Sequence, residues 1–404
     1  MGRLRNLLLG PQRAVVVLSV TQILCWGMLI YPPVLTMPHV AAAHGWSLAF
    51  CMAGFSLGLV TSGVMAPIVG GLIDRHGGNI VMSSGALAGA LGLALLATAD
   101  QRPIYLASWL LIGAAMASTL YDPAFTTLAR LFGTSARRQI IFVTFAGGFA
   151  STVGWPATQI LLEHVGWRGT YLCFAAVMAC VIAPLHGFAL PRTAAVAVTP
   201  LPAAVNPIVV PDPLMQPEGW PFVLLAAAFA LYAFILSGVT SNLLAMLQRG
   251  GISAATVVTL GAMFGPAQVA ARLVDFLLAG RTHPLWIARG AITLMALSFA
   301  MLALVGISVP VAALFCVAFG AANGVMTIAR GALPLLMFGP VGYGRVIGRI
   351  ARPALFVQAL APFVVASAVE RLSDPVVIAF GLAGTVVALG CFLAIRPPRV
   401  ATRR

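Results

Sequence analysis

Apolar runs of about 20 residues recur along the whole chain, and this recurrence limits the possible folds more than any other feature. A helix of about 20 apolar residues is long enough to cross the hydrocarbon core of a bilayer. The runs predict an all-α membrane protein with twelve transmembrane spans. Their predicted bounds are 14–37, 46–67, 80–99, 104–129, 139–161, 168–189, 221–247, 254–276, 285–306, 309–335, 346–369 and 375–395.

One segment between the spans is long, and it separates the first six from the last six. It runs from Pro191 to Gly219 and is rich in Pro, Ala and Val, a composition typical of a flexible linker. We therefore predict an N-terminal six-helix bundle at residues 1–190, a cytoplasmic linker at 191–220 and a C-terminal six-helix bundle at 221–404.

The charged residues indicate a membrane topology and not a nucleic-acid partner. Only 8% of the residues are charged, all 23 basic residues are arginines, and the net charge is +14. The arginines lie in short loops and at span ends, where basic residues favour the cytoplasmic side. With the N-terminus inside, all of them but Arg102, Arg168, Arg249 and Arg371 fall on that side. This predicts a multi-pass protein of a bacterial inner membrane with both termini cytoplasmic.

The segment Gly70–Asn79, GGLIDRHGGN, interrupts the apolar pattern between the second and third spans. Its glycines make a tight loop possible, and Asp74 and Arg75 are charged among apolar neighbours. The pattern G-x-x-x-D-R-x-G, with Gly70 and Gly77 at its ends, resembles the signature loop of the major facilitator superfamily, although Gly78 and Asn79 replace the usual basic pair. The Gly166-Trp167-Arg168 triplet is a further resemblance to that family.

The resemblance implies twelve helices in two pseudo-symmetric bundles around a central cavity, and transport by alternating access. It also implies that Asp74 and Arg75, with Gly70 and Gly77, form a cytoplasmic gate that holds the two halves together. The segment Gly265–Arg281 of the second half stands at the equivalent place and keeps an acidic residue, Asp275.

Nothing in the chain is typical of an enzyme. It has no phosphate-binding loop of the Walker type, no nucleophile elbow and no His, Cys and Asp residues at metal-ligand spacing. We therefore expect no catalytic residue, no cofactor and no metal site.

Ionisable residues inside spans are costly unless they are paired or face water, so they are the first candidates for function. They are Asp122, Arg272, Asp275, Arg330, Arg349 and Arg352. For Asp122 the alternative is a structural pair with a nearby arginine. Arg272 lies about nine residues, or about 13 Å of helix, from the loop residue Arg281. This distance places Arg272 close to the centre of the membrane. A guanidinium at this depth can donate two parallel hydrogen bonds to a carboxylate. The alternative is a local pair between Arg272 and Asp275 on one helix face.

A narrower resemblance concerns Arg272 in the eighth span, Tyr31 near the end of the first and Tyr121 in the fourth. These residues resemble those that line the cavity of the oxalate/formate exchangers and the monocarboxylate porters, and the resemblance implies a small carboxylate substrate. Arg349 and Arg352 lie in the eleventh span, where the exchangers carry one basic residue. We expect Arg330, near the inner end of the tenth span, to face the loop or to belong to the gate. Asp275, Arg349 and Arg352 are further candidates for gating.

Polar residues inside the spans predict an aqueous path. Among them we expect Trp26, Gln268 and Asn323 to line the cavity beside the charged candidates, although each is also typical of helix–helix hydrogen bonding. The leading interpretation is a monomeric secondary transporter of a small organic anion, with a proton or a counter-anion as the candidate coupled species.

Two alternatives stay open. The first is proton-coupled export of an amphipathic or cationic compound, with Asp122 as the carboxylate; Gly147, Gly148, Gly154 and Pro156 partly match the glycine–proline motif of such exporters, but no arginine lies early in the fourth span. Whichever role Asp122 has, Pro123 removes a backbone donor and weakens the helix beside it. The second is a membrane sensor that moves no solute.

Overall fold

The computed structural model describes residues 10–192, 218–277 and 283–395, and all the secondary structure there is helical. Ten helices in these ranges are long and apolar enough to cross a membrane, but one of them runs 88 residues from Arg102 to Ala189. That is roughly 130 Å of helix, several times the thickness of a bilayer core. It is divided by a 3₁₀ turn at Gly133–Ala136 and by Gly166, whose φ is +68°. The described residues thus form twelve spans, as predicted.

The spans are numbered in chain order, and several consist of two helices. They comprise Gln12–Leu29 with Pro32–His44 (span 1), Leu48–His76 (2), Gly78–Ala97 (3), Arg102–Thr119 with Tyr121–Phe132 (4), Arg137–Gly147 with the part of Ala150–Val177 before Gly166 (5), the part after Gly166 with the π-helical turns Met178–Ile182 and Leu185–Ala189 (6), Trp220–Arg249 (7), Ala254–Ala262 with Phe264–Leu277 (8), Pro284–Val305 (9), Val309–Phe338 (10), Tyr343–Arg371 (11) and Asp374–Ala394 (12).

The Gly70–Asn79 segment is mostly helix, which corrects the prediction of a glycine loop. Span 2 continues to His76, and Gly77 alone makes the turn, with φ +87° and ψ +161°. A positive φ of this kind favours glycine, because it has no Cβ. The helix extends beyond the apolar run because Asp74 and Arg75 lie where the polar end of the bundle can accommodate them. We call this end of the protein the signature-loop end.

Span 4 is broken at Leu120, as the position of Pro123 predicts. A proline has no N–H to donate to the carbonyl four residues earlier, which here belongs to Thr119. The Gln22 side chain of span 1 donates to that carbonyl at 2.7 Å. The break therefore creates a buried polar contact between spans 1 and 4.

Each half has its own apolar core. One cluster of buried side chains lies entirely between residues 225 and 395, and two others consist mainly of residues before 191. Spans 2 and 11 pack together along much of their length, from Ser56, which donates to the carbonyl of Ala359 at 3.3 Å, to Gly70 at the signature-loop end. The boundaries at 190 and 221 stay predictions, because residues 193–217 lie outside the described ranges.

Candidate functional site

Arg272 of span 8 is buried at the junction of the two halves, with 4% of its surface exposed. Its Nε donates to the carbonyl of Gly324 at 3.2 Å, and its Nη2 donates to the Gln268 side chain at 3.4 Å. Its Nη1 donates to the carbonyl of Thr144, in span 5 of the other half, at 3.0 Å. Thr144 lies in the last turn of Arg137–Gly147, where the helix dipole places partial negative charge.

The alternative of a pair between Arg272 and Asp275 is wrong for this conformation. Within the described ranges, the ion pairs do not include Arg272, and the Asp275 side chain leaves its Oδ2 without a hydrogen bond. Arg137 of span 5 lies close enough to Asp275 to interact with it electrostatically. The two residues diverge because the guanidinium is drawn to the backbone carbonyls of spans 5 and 10.

Aromatic side chains from the first half surround this guanidinium. Tyr121 and Tyr31 both lie close enough to Arg272 to interact with it electrostatically. The Tyr121 ring lies 4.9 Å from the Trp26 ring, and the Tyr31 ring lies 6.4 Å from that of Trp155. The structure thus brings together Arg272, Tyr31, Tyr121, Trp26 and Gln268.

Asn323 joins the same cluster through a residue that the sequence analysis missed. It directly precedes Gly324, and its side chain accepts a hydrogen bond from the hydroxyl of Tyr232 in span 7. Tyr232 and Thr144 both belong to the site. A tyrosine inside an apolar span was the available signal for Tyr232, whereas Thr144 contributes a backbone oxygen, which no sequence pattern reveals.

Asp122 does not join Tyr121 beside Arg272, and it pairs with Arg330. Its Oδ2 accepts a hydrogen bond from Arg330 Nη2 at 2.8 Å, and the two side chains are only 17% and 22% exposed. Asp122 Oδ1 is buried without a partner among the described residues. The pair joins span 4 to span 10 and therefore connects the halves. Asp122 therefore belongs to this contact between the halves and is not among the residues that hydrogen-bond to Arg272.

Asp74 forms a second contact between the halves. Its carboxylate accepts backbone hydrogen bonds from Gly344 at 3.1 Å and Arg345 at 3.0 Å, in the first turn of span 11. A carboxylate is favoured there because the first N–H groups of a helix have no partner within the helix. Arg130 of span 4 donates to the backbone carbonyl of Asp74 and fixes its position.

Glycines allow spans 2 and 11 to approach closely beside Asp74. A side chain at Gly70 would collide with the backbone of Gly344, and one at Gly348 would collide with the backbone of Ala66. Small residues at such a crossing are a common way for membrane helices to pack.

The remaining basic candidates lie away from the centre. Arg75 and Arg352 are exposed, and the Arg352 guanidinium lies 5.8 Å from the Phe356 ring. Arg349 lies 4.8 Å from the ring of Phe222 and 3.9 Å from the carboxylate of Glu218. Both side chains are exposed, and the interpretation of Arg349 or Arg352 as the basic cavity residue of span 11 stays a prediction.

Comparison with known proteins identifies the class. The profile of the Major Facilitator Superfamily matches residues 17–351. The chain therefore belongs to this superfamily of membrane transporters, which confirms the predicted fold and excludes an enzyme. Its fold matches the crystal structure of the human organic anion transporter MFSD10 (TETRAN), with a TM-score of 0.73, 18% identity and coverage of 95% of this chain and 99% of that one.

The curated relatives match only part of the chain. The chain is 32% identical over 183 residues to probable anion transporter 2, chloroplastic, of Oryza sativa subsp. japonica, covering 41% of this chain and 32% of that protein. It is 30% identical over 239 residues to human monocarboxylate transporter 11, covering 54% of this chain and 46% of that protein. The matches thus span less than half the length of either relative.

Proposed function

We propose that the protein moves a small organic anion, with a carboxylate as its recognised group, across the bacterial inner membrane by alternating access. The observation that carries the proposal is the buried Arg272 guanidinium, bound by three neutral oxygens and by no carboxylate of the described residues. Burying a charge costs several kcal/mol unless an opposite charge compensates it. A carboxylate substrate would supply that charge.

The chemistry of the surrounding residues supports the same substrate class. A guanidinium can donate two parallel hydrogen bonds to a carboxylate, which an ammonium cannot do. The hydroxyls of Tyr31 and Tyr121 are further donors beside it, and Trp26 adds apolar surface for a short carbon chain. The names of the similar proteins, which are anion and monocarboxylate transporters, agree with this substrate class.

Substrate binding is proposed to weaken the contact between the halves. Arg272 donates to Thr144 of the first half, so a carboxylate that takes this donor removes a bond between spans 8 and 5. The Asp122–Arg330 pair and the Asp74 contacts to span 11 then act as the gate at the signature-loop end. We place Gly70, Gly77, Arg75 and Asp275 in or beside this gate.

The topology is part of the proposal. Arginine placement supports a cytoplasmic position for the signature-loop end and for both termini. The conformation described here, with that end closed, is then the one that binds substrate from the outer side.

Flux into proteoliposomes tests the proposal. Purified protein would be assayed with radiolabelled mono- and dicarboxylates and, in parallel, with lipophilic cations. Arg272→Gln should lower carboxylate flux at least about 30-fold, because losing one partner of a buried charge pair costs about 2–5 kcal/mol. Arg371→Gln, which removes the same charge from an exposed position in the last turn of span 11, is the matched control. Unchanged flux in Arg272→Gln would refute the anchor role.

Proton-coupled export of a cationic compound is the second candidate. It is favoured by the buried, unpartnered Oδ1 of Asp122, which can carry a proton. This reading predicts that cation flux, driven by an imposed pH gradient, is lost in Asp122→Asn while Arg272→Gln retains it.

A further inference from the structure

A groove of about 390 Å³ opens on the outer surface of the protein where spans 2 and 11 cross. It lies at the signature-loop end, away from Arg272, and the substrate site does not use it. The residues that shape it are Pro67, Ile68, Leu72, Arg75, Arg345 and Arg349. The first four belong to one half of the protein, and the last two belong to the other.

The head of the groove is strongly basic. Arg75 is in the last turn of span 2, and Arg345 and Arg349 are in the first two turns of span 11, within about 9 Å of its start. Two carboxylates lie nearby. Asp74 is already engaged by the backbone N–H groups of Gly344 and Arg345, and Glu218 is 78% exposed and 3.9 Å from Arg349.

The floor of the groove is apolar and continues along span 2 towards the membrane centre. Ile68 is 56% exposed and Leu72 is 39% exposed, so both present hydrocarbon to the bilayer directly beside the three arginines. A site that is basic at the headgroup level and apolar below it fits a molecule with an anionic head and an acyl tail. It does not fit a free inorganic anion equally well, because the apolar floor would contribute nothing to binding.

We propose that this groove binds a glycerophospholipid with a net negative headgroup, such as phosphatidylglycerol. Its phosphate lies among Arg75, Arg345 and Arg349, and one acyl chain lies along Ile68 and Leu72. Basic pockets between membrane helices are a recurring form of anionic-lipid site.

The position of the groove gives the lipid a regulatory effect. Because Arg75 and the two span 11 arginines come from opposite halves, the site is complete only while spans 2 and 11 are packed together. A ligand shifts a conformational equilibrium towards the state that it binds better. The bound lipid therefore stabilises the arrangement in which Asp74 contacts span 11, and it slows opening at this end.

Lipid titration of the delipidated, detergent-purified protein tests the proposal, with native mass spectrometry as the readout. Dioleoyl phosphatidylglycerol should bind with saturation, and dioleoyl phosphatidylcholine should not. The double variant Arg345→Gln/Arg349→Gln should bind phosphatidylglycerol about 20-fold more weakly, since each basic residue near an anionic lipid is worth about fivefold in affinity. Arg102→Gln/Arg371→Gln removes the same charge at the opposite end and should bind as the wild type does.

Two further comparisons can overturn the proposal. Inorganic phosphate and glycerol 1-phosphate, tested as competitors, should displace the lipid only weakly; displacement at concentrations comparable to the lipid would identify a free-anion site and overturn the proposal. Equal phosphatidylglycerol affinity in the wild type and the Arg345/Arg349 variant would also overturn it. The arginines are exposed, so we expect the variants to fold, and gel filtration with circular dichroism checks this. None of these measurements involves the transported solute, so their outcome is independent of the proposed substrate class.

Discussion

Arg272 Nη1 lies 3.0 Å from the carbonyl oxygen of Thr144, so the buried cation of the second half is bound to the backbone of the first. A side chain at Gly148 would place its Cβ 2.6 Å from the same nitrogen, which shows how closely span 5 approaches the guanidinium. The residue proposed to recognise substrate is thus also part of the contact between the halves. Binding and conformational change can be linked through this single group.

The Asp122–Arg330 pair should be energetically coupled across the halves. Asp122→Asn and Arg330→Gln should each lower the stability of the closed signature-loop end by about 1–3 kcal/mol, because each leaves a largely buried partner uncompensated. A double-mutant cycle on thermal unfolding measures the coupling. The double variant should cost less than the two single changes added together, and strict additivity would show that the pair contributes nothing to the gate.

Two adjacent glycines of span 2 should respond very differently to the same change. Gly70→Ala places a methyl group against the backbone of Gly344, which cannot move away without separating spans 2 and 11. Gly71→Ala meets only the tip of the Arg345 side chain, at 3.8 Å. We expect Gly70→Ala to destabilise the protein by about 1–3 kcal/mol and Gly71→Ala to be neutral or slightly stabilising.

Thermal unfolding in detergent compares these two variants directly, and cysteine accessibility at the signature-loop end reports whether that end has opened. Equal effects of the two alanines would contradict the close crossing of spans 2 and 11.

The contact between Gln22 and the Thr119 carbonyl should depend on Pro123. In the wild type, Gln22→Leu leaves a buried carbonyl without its donor and should cost about 1–3 kcal/mol. In a Pro123→Ala background, the new N–H at residue 123 can reach the Thr119 carbonyl, so the same Gln22→Leu change should cost less. Melting temperatures of the four proteins test this, and an unchanged cost in the alanine background would show that Pro123 is not the reason for the contact.

Much of the fold could be predicted from the sequence, because a bilayer leaves few structures available to apolar segments of this length. The break of span 4 also followed from one residue, Pro123. The helical extension to His76 did not, because the apolar run ends before the helix does. An apolar run marks the membrane core, whereas a helix ends where its hydrogen bonding ends, here at Gly77.

The site was predicted less completely, for reasons that are specific to its residues. Charged residues in spans indicated Arg272, Asp122 and Arg330, but not which of them meet. The Arg272 guanidinium is bound by the backbone oxygens of Thr144 and Gly324, and a backbone oxygen has no sequence signature. Asp275 lies three residues from Arg272 and was a reasonable partner by spacing. Span 5, which is distant in sequence, instead supplies a carbonyl oxygen that binds the guanidinium.

Ligand-dependent thermal unfolding of the purified protein tests the central claim most directly, namely that Arg272 anchors a carboxylate. A ligand that binds the folded state raises the unfolding temperature in a concentration-dependent way. Small mono- and dicarboxylates would be compared with lipophilic cations on the wild type, Arg272→Gln, Arg272→Lys and Asp122→Asn. Our account predicts stabilisation of the wild type by a carboxylate, a weaker effect in Arg272→Lys and none in Arg272→Gln. Equal stabilisation of Arg272→Gln by the carboxylate would contradict it, as would stabilisation only by cations that is lost in Asp122→Asn.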